Sequence, residues 1–255
     1  MQHIDLRGLS KAYCRVIRKQ EKSLVPAAYG LTLPWASRLI VWLSDAWNAC
    51  LLLCLLPFAE LLLLIVSGAL GPNAIEGFHL FTGTWSLRFL VVTLMVTPVQ
   101  TMTRWRGMAA FRQLFGLASF AYAALHVLGY LWIDHGLAWS AIITDILETR
   151  YIWFGLFASV VLLLLALTSS TAAMKIMGRR WKKLHRWIYL ASVAVILHYA
   201  MQLKGNLADP FFYGLVISFL LLFRVGVWFK NRQLSRLMIP KAAKITENDL
   251  PNVHR

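Results

Sequence analysis

Acidic residues and cysteines are scarce in this chain. Only 11 of its 255 residues are aspartate or glutamate, against 26 lysines and arginines, and 3 are cysteines. Three thiols offer no disulfide framework, and Cys50 and Cys54 lie one helical turn apart in an apolar run, where we expect them to pack as small side chains. The sequence also lacks a GxGxxG motif, a P-loop and any recognisable set of nucleophile, base and orienting group. We therefore expect bond-making chemistry to take place on a partner.

Long apolar runs are abundant. Hydrophobic residues make up 59% of the chain, and the mean hydropathy is +0.61. These values predict a polytopic integral membrane protein, an all-α bundle in which most of the apolar surface faces lipid. The runs predict six transmembrane spans at about 49–69, 85–100, 112–133, 151–172, 184–203 and 211–229.

The spans divide the chain into three parts. Residues 1–48 form a basic, partly amphipathic lead, residues 49–229 the transmembrane domain, and residues 230–255 a basic tail. The first apolar run, which starts near Cys50, is too long for a cleavable signal peptide and is expected to act as a signal anchor. After Phe229 we expect too little chain for a domain that binds flavin and nicotinamide.

The basic residues predict the orientation. Of the 26 lysines and arginines, 22 fall on one side of the predicted membrane, in the lead, in the links 101–112 and 173–186, and in the tail. By the positive-inside rule both termini are cytoplasmic. Because this asymmetry accounts for the +15 charge, we do not expect nucleic-acid binding.

Two histidines lie on the fifth predicted span, His185 and His198, separated by 13 residues or about 20 Å of helix rise. A third, His126, lies on the third span, which runs in the same direction, and its depth equals that of His198. Neutral imidazole is a good ligand for heme iron, so the outer pair is predicted to grip one heme and His185 to hold an inner one. Arg112 lies at the level where a ligand opposite His185 would be expected.

The angle around the helix between His185 and His198 does not place both side chains on one face, however. At 100° per residue, 13 positions leave two side chains about 140° apart. Either the fifth span is distorted, or the inner heme is approached from another angle. A histidine that only bonds two helices together is the ordinary alternative for each of the three.

Other polar groups are more ambiguous. Arg88, in the outer part of the second span, could pair with the propionates of an outer heme or extend to the interface. Glu60 could relay a proton or contact quinol, or it could be a protonated acid bonded to a neighbouring helix. The remaining histidines are expected to be solvated: His3, His79, His135 and His254. The outer loops 134–148 and 206–209 are candidates for docking a reductase through their carboxylates.

Several blocks resemble a known family. They are FTGTWSLRFLVVTLMVTP, the FRQLFGL pattern of the third span with LH after it, LTSSTAAMKIMGRRWKKLHRWIYL, and ILHY. The similarity covers about residues 56–229 and is to MsrQ, the heme-binding membrane subunits of the periplasmic methionine sulfoxide reductase system, within the ferric-reductase-like superfamily. The lead before the first span is longer than that family usually shows.

The resemblance implies a b-type cytochrome of the bacterial inner membrane that also carries FMN. It would take electrons from quinol and pass them to a periplasmic molybdopterin subunit, MsrP, which repairs methionine sulfoxide in proteins. The family's three heme histidines fall on His126, His185 and His198, and its arginine at the vacant fourth position falls on Arg112.

Two alternatives stay open. The first is a ferric-reductase-like cytochrome that is fed by a cytosolic flavoprotein and reduces an external metal or oxygen. The second is a heme-free transporter or assembly factor whose histidines only link helices. The identity of the partner distinguishes the ferric-reductase-like cytochrome from an MsrQ-like subunit. The heme content of the purified protein distinguishes a heme-free transporter or assembly factor from both cytochromes.

Overall fold

The computed structural model describes residues 34–105, 107–203 and 207–248, which contain helices and no strand. The helices are α1 Pro34–Ser67, α2 Ala74–Thr103, α3 Met108–Gly129, α4 Trp139–Glu148, α5 Arg150–Leu167, α6 Thr171–Met177, α7 Arg179–His185, α8 Trp187–Gln202 and α9 Ala208–Asn248. A π-helical turn, Tyr130–Asp134, extends α3. The predicted all-α class is confirmed for these residues.

Local signals set several helix ends. The Asn73 side chain accepts a hydrogen bond from the backbone N–H of Glu76 and caps α2. Ser170 caps α6 in the same way. Gly178, with φ of 51°, separates α6 from α7, because a positive φ interrupts the helix and glycine adopts it without strain.

Five of the described helices are long and apolar enough to cross a membrane: Ala46–Ser67, Ala74–Thr103, Met108–Asp134, Arg150–Leu167 and Ala208–Lys230. The fifth predicted span is different. Its helix, α8, has only 16 residues and begins at Trp187, after a break at Arg186 that separates it from α7. The sequence also gave no warning of α4, which lies in a stretch that we expected to be a loop.

The helices from Cys54 onward pack into one compact unit. The most extensive contacts join α2 to α3 and α5 to α8, and α9 packs on α8 and α2. The interface of α5 and α8 is built from small buried residues, Ala158, Ala191 and Ala194, which let two helix backbones approach closely. Leu87, Leu94 and neighbouring apolar side chains fill the contact of α2 with α9.

Apolar side chains also cover the outside of the bundle. Large ones that are more than half exposed include Leu63, Val66, Leu167, Phe219 and Leu222. Exposed apolar surface of this extent is typical of a protein whose solvent is lipid.

Candidate functional site

His126 lies near the end of α3 and is fixed by the backbone of α2. Its Nδ1 lies 3.1 Å from the carbonyl oxygen of His79. Because a carbonyl only accepts, Nδ1 carries the proton, and Nε2 keeps its lone pair for a ligand role.

His198 lies near the end of α8 and has the same arrangement. Its Nδ1 lies 2.8 Å from the carbonyl oxygen of Tyr151 on α5, so Nε2 is again the free nitrogen. The centroids of the His126 and His198 rings are 6.2 Å apart, and their planes are nearly perpendicular at 87°. The two residues that the sequence placed at one depth thus lie close together.

Both rings line one cavity between α2, α3, α5 and α8. The cavity is small, about 70 Å³, and opens outward; most of its wall is apolar, with Leu87, Leu162 and Val195. A mainly apolar lining with a few polar groups is the usual character of cofactor sites.

Two glycines make room for the histidine rings. An added Cβ at Gly155 would lie 2.8 Å from Nδ1 of His198, and one at Gly83 would lie 3.3 Å from Nδ1 of His126. Metal–imidazole bonds of about 2 Å place two rings on one metal roughly 6 Å apart, close to the separation found. Heme therefore fits this pair on three grounds: two free Nε2 atoms, their spacing, and an apolar cavity.

His185 lies at the other end of the bundle, on α7. Its Nδ1 lies 3.2 Å from the carbonyl oxygen of Trp181, one turn earlier, and its ring stacks on Trp181 with centroids 3.9 Å apart. Arg112 on α3 is close enough for its charge to act on His185. The angle of about 140° between His185 and His198 predicted either a distorted fifth span or another direction of approach to the inner heme. The break at Arg186 is a distortion of this span.

Arg88 does not line the cavity of the two histidines. Its guanidinium is exposed, lies 4.6 Å from the ring centroid of Trp85, and donates from Nε to the hydroxyl of Tyr213 at 3.2 Å. It lines a second, open cavity of about 380 Å³, together with Glu60. Leu80 and Thr84 line both cavities.

The expectation of a solvated His79 is wrong. The residue is 9% exposed, its Nε2 lies 3.0 Å from an oxygen of Asp134, and its ring meets that of His126 edge-on with centroids 5.0 Å apart. We began the second span at residue 85, whereas α2 begins at Ala74. The missed signal was the spacing of His79 and Gly83, which puts them on one helix face.

His135 is not fully solvated either. It is half-buried, and its Nε2 lies 3.2 Å from Oδ2 of Asp145. The other two histidines that we expected to be solvated, His3 and His254, lie outside the described residues.

Asp145 is the centre of a small network on α4. Burial raises the pKa of this carboxyl, but hydrogen bonds from Thr149, Tyr130 and His135 outweigh it and bring the pKa below its ordinary value. The two outer aspartates, Asp134 and Asp145, are thus already engaged by histidines of the chain, which leaves them less free to dock a partner than the sequence suggested.

Comparisons with known proteins point in one direction. A family model described as the ferric reductase like transmembrane component matches residues 82–196. A protein-methionine-sulfoxide reductase heme-binding subunit MsrQ of Brucella anthropi is 41% identical over 161 residues, 62% of this chain and 72% of that protein. MsrQ subunits of Brucella ovis and Brucella canis are 38% identical over 160 residues, 63% of this chain and 72% of each relative. No solved structure matches.

Proposed function

The chain belongs to the MsrQ family of heme-binding subunits of protein-methionine-sulfoxide reductases, and from this premise we propose that it is a b-type cytochrome subunit. In this proposal it binds one or two b hemes and conducts electrons across the bacterial inner membrane to a methionine sulfoxide reductase. The family-model match to a transmembrane ferric reductase component supports the same class of membrane redox protein.

The observation that carries the proposal is the pair His126 and His198. Both hydrogen bonds from Nδ1 end on backbone carbonyls, and Oγ1 of Thr82 also lies 3.4 Å from Nδ1 of His126. His126 and His198 would hold the heme iron, and a heme held by two imidazoles would supply one-electron transfer rather than oxygen chemistry. The apolar wall would limit the access of water to the bound group and so influence its redox potential.

His185 is the proposed ligand at the other end of the bundle, with Arg112 in place of an opposite histidine. Its Nδ1 also faces a backbone carbonyl, which leaves Nε2 free as in the outer pair. We also propose that α8 crosses the membrane as the fifth of six spans: it is short for a span, but it packs extensively against α5.

The electron donor and acceptor follow from the family. We propose that quinol is the donor, that FMN is a second cofactor, and that the acceptor is a periplasmic molybdopterin subunit, MsrP. We also propose that Arg88 contacts heme propionates, although it lines the second cavity and not the cavity of His126 and His198. The orientation with both termini in the cytoplasm rests on the distribution of basic residues.

The test is the dithionite-reduced minus oxidised absorbance spectrum of the purified protein. We expect a sharp low-spin b-type α band that is lost in both His126→Ala and His198→Ala. The change in heme content in His185→Ala then counts the hemes. His135→Ala is the matched control, because this histidine bonds only within the loop network.

A wild-type protein without heme, from heme-replete cells, would contradict the proposal and favour a transporter or assembly factor. A heme-loaded protein that reduces an iron chelate but not the molybdopterin reductase would instead favour the ferric-reductase alternative.

A further inference from the structure

Arg224 is a half-buried cation near the middle of α9. Its Nη1 donates to the hydroxyl of Tyr189 at 2.7 Å, and its Nη2 donates to the carbonyl oxygen of Leu94 at 2.9 Å and to Oγ1 of Thr97 at 2.8 Å. The guanidinium carbon also lies 5.0 Å from the centroid of the Tyr189 ring. These contacts tie α9 to α2 and α8, but every acceptor is neutral.

One donor of this guanidinium is left over. Its Nε is buried and has no hydrogen-bond partner among the described residues. A buried donor without an acceptor is costly, so it points to an acceptor outside the described residues.

A second guanidinium lies nearby. Arg112 on α3 is close enough to Arg224 for the two charges to repel each other, and its side chain is half-buried. Within the described part of the chain Arg112 makes no hydrogen bond or ion pair. The charges of two partly buried cations, one on α3 and one on α9, therefore act on each other.

No described carboxylate neutralises them. The two ion pairs found among the described residues, His79 with Asp134 and His135 with Asp145, are at the opposite end of the bundle. Two partly buried like charges without a counter-charge are strongly unfavourable in a membrane protein, and chains retain them where they bind something.

We propose that Arg224 and Arg112 form a binding site for one oxyanion, a carboxylate or a phosphate, carried by a bound prosthetic group or by a phospholipid. Guanidinium is suited to this ligand because its planar set of N–H donors matches carboxylate and phosphate oxygens. Tyr189, Leu94 and Thr97 hold the guanidinium of Arg224 by its terminal nitrogens and leave Nε for the anion. If the anion is a heme propionate or a flavin phosphate, the site rests on the proposed function, whereas a lipid phosphate would be independent of it.

The test compares the molecules retained by the intact protein purified in mild detergent. Heme is measured by its pyridine complex, flavin by fluorescence after release, and phospholipid by phosphorus content, each per polypeptide, with native mass spectrometry as a check. The variants are Arg112→Gln and Arg224→Gln. Lys230→Gln, which removes one exposed positive charge later on α9, is the matched control.

We expect both arginine variants to lose the same molecule. Its affinity for the protein should fall roughly tenfold or more, because one charge-assisted hydrogen bond contributes a free energy of that size. Lys230→Gln retains it. Loss of heme identifies a propionate, loss of flavin a flavin phosphate, and loss of phosphorus a lipid phosphate.

Wild-type amounts of all three molecules in Arg112→Gln, or loss of different molecules from the two variants, would overturn the proposal. Arg112→Gln decides the matter even if Arg224→Gln does not fold, because it breaks no hydrogen bond among the described residues. A wild type that lacks heme but loses phospholipid in both variants would refute the cytochrome proposal and leave the anion site standing.

Discussion

The absence of a side chain at two positions decides where the histidine rings lie. Gly155 on α5 faces His198, and Gly83 on α2 faces His126. A Cβ added at Gly155 would lie 2.8 Å from the ring of His198, and one added at Gly83 would lie 3.3 Å from the ring of His126. The rings can then reach carbonyls on neighbouring helices, which fixes the tautomer. These glycines serve close approach, not an unusual backbone angle.

Gly155→Ala tests this arrangement. The added Cβ would lie 2.8 Å from Cε1 and Nδ1 of His198, so the ring must shift and its bond to the Tyr151 carbonyl weakens. We expect a loss of roughly 1–3 kcal/mol in the free energy of unfolding, typical of overpacking, and lower heme retention. Thermal unfolding and heme content measure the two effects.

Gly226→Ala is the control, because no atom lies within 4 Å of an added Cβ there. In a helix this change is expected to be neutral or slightly stabilising, by up to about 1 kcal/mol. Equal behaviour of the two variants would show that the ring has room to spare and that Gly155 has no positioning role.

At the scale of helices, α2 and α3 are joined by a reciprocal pair of serines. Ser86 donates from Oγ to the carbonyl oxygen of Ser119, and Ser119 donates from Oγ to the carbonyl oxygen of Ser86, both at 2.9 Å. The pair lies between the elements that carry His79 and His126, so it sets the spacing on which the His126 hydrogen bond depends.

Ser119→Ala removes one of these bonds at a fully buried position. Interhelical bonds in membrane bundles are worth about 0.6 kcal/mol on average and seldom more than about 2, so we expect a loss of that size in an unfolding titration. Ser192→Ala is the matched control, because Ser192 is equally buried but bonds to Tyr189 within its own helix. A larger loss in the control would contradict the role of the pair.

At the scale of the whole molecule, charge is separated along the bundle. The described ion pairs lie at the end that carries α4, whereas the basic stretch Arg179–Arg186 lies at the end that carries α7. From the positive-inside rule we propose that the second end faces the cytoplasm.

Labelling of cysteines in intact cells with an impermeant reagent tests this orientation. Ser140→Cys, exposed on α4, is expected to react from outside, whereas Ala172→Cys, exposed on α6, reacts only after the membrane is opened. The unaltered chain is the control, because Cys54 is buried, Cys50 is half-buried within the first predicted span, and Cys14 is predicted to be cytoplasmic. Labelling in the reverse order would invert the topology.

The sequence by itself determined the class of the protein and the candidate ligands. Hydropathy and the count of basic residues depend on composition along the chain, so they predict a helical membrane protein without any knowledge of packing. Depth also follows from residue number along a helix, which is why His126 and His198 could be assigned to one level. Of the six predicted spans, five have helices that meet the length and composition of a span.

Only the tertiary structure decided what these residues contact. The burial of His79, the break at Arg186, the helix α4 and the cation Arg224 depend on neighbours that are distant in sequence. Periodicity shows which face a side chain occupies but not which carbonyl or ring stands opposite. The relation between Arg112 and Arg224 cannot be recognised in the sequence for the same reason. The lack of a counter-charge beside them among the described residues is visible only once the helices around them are in place.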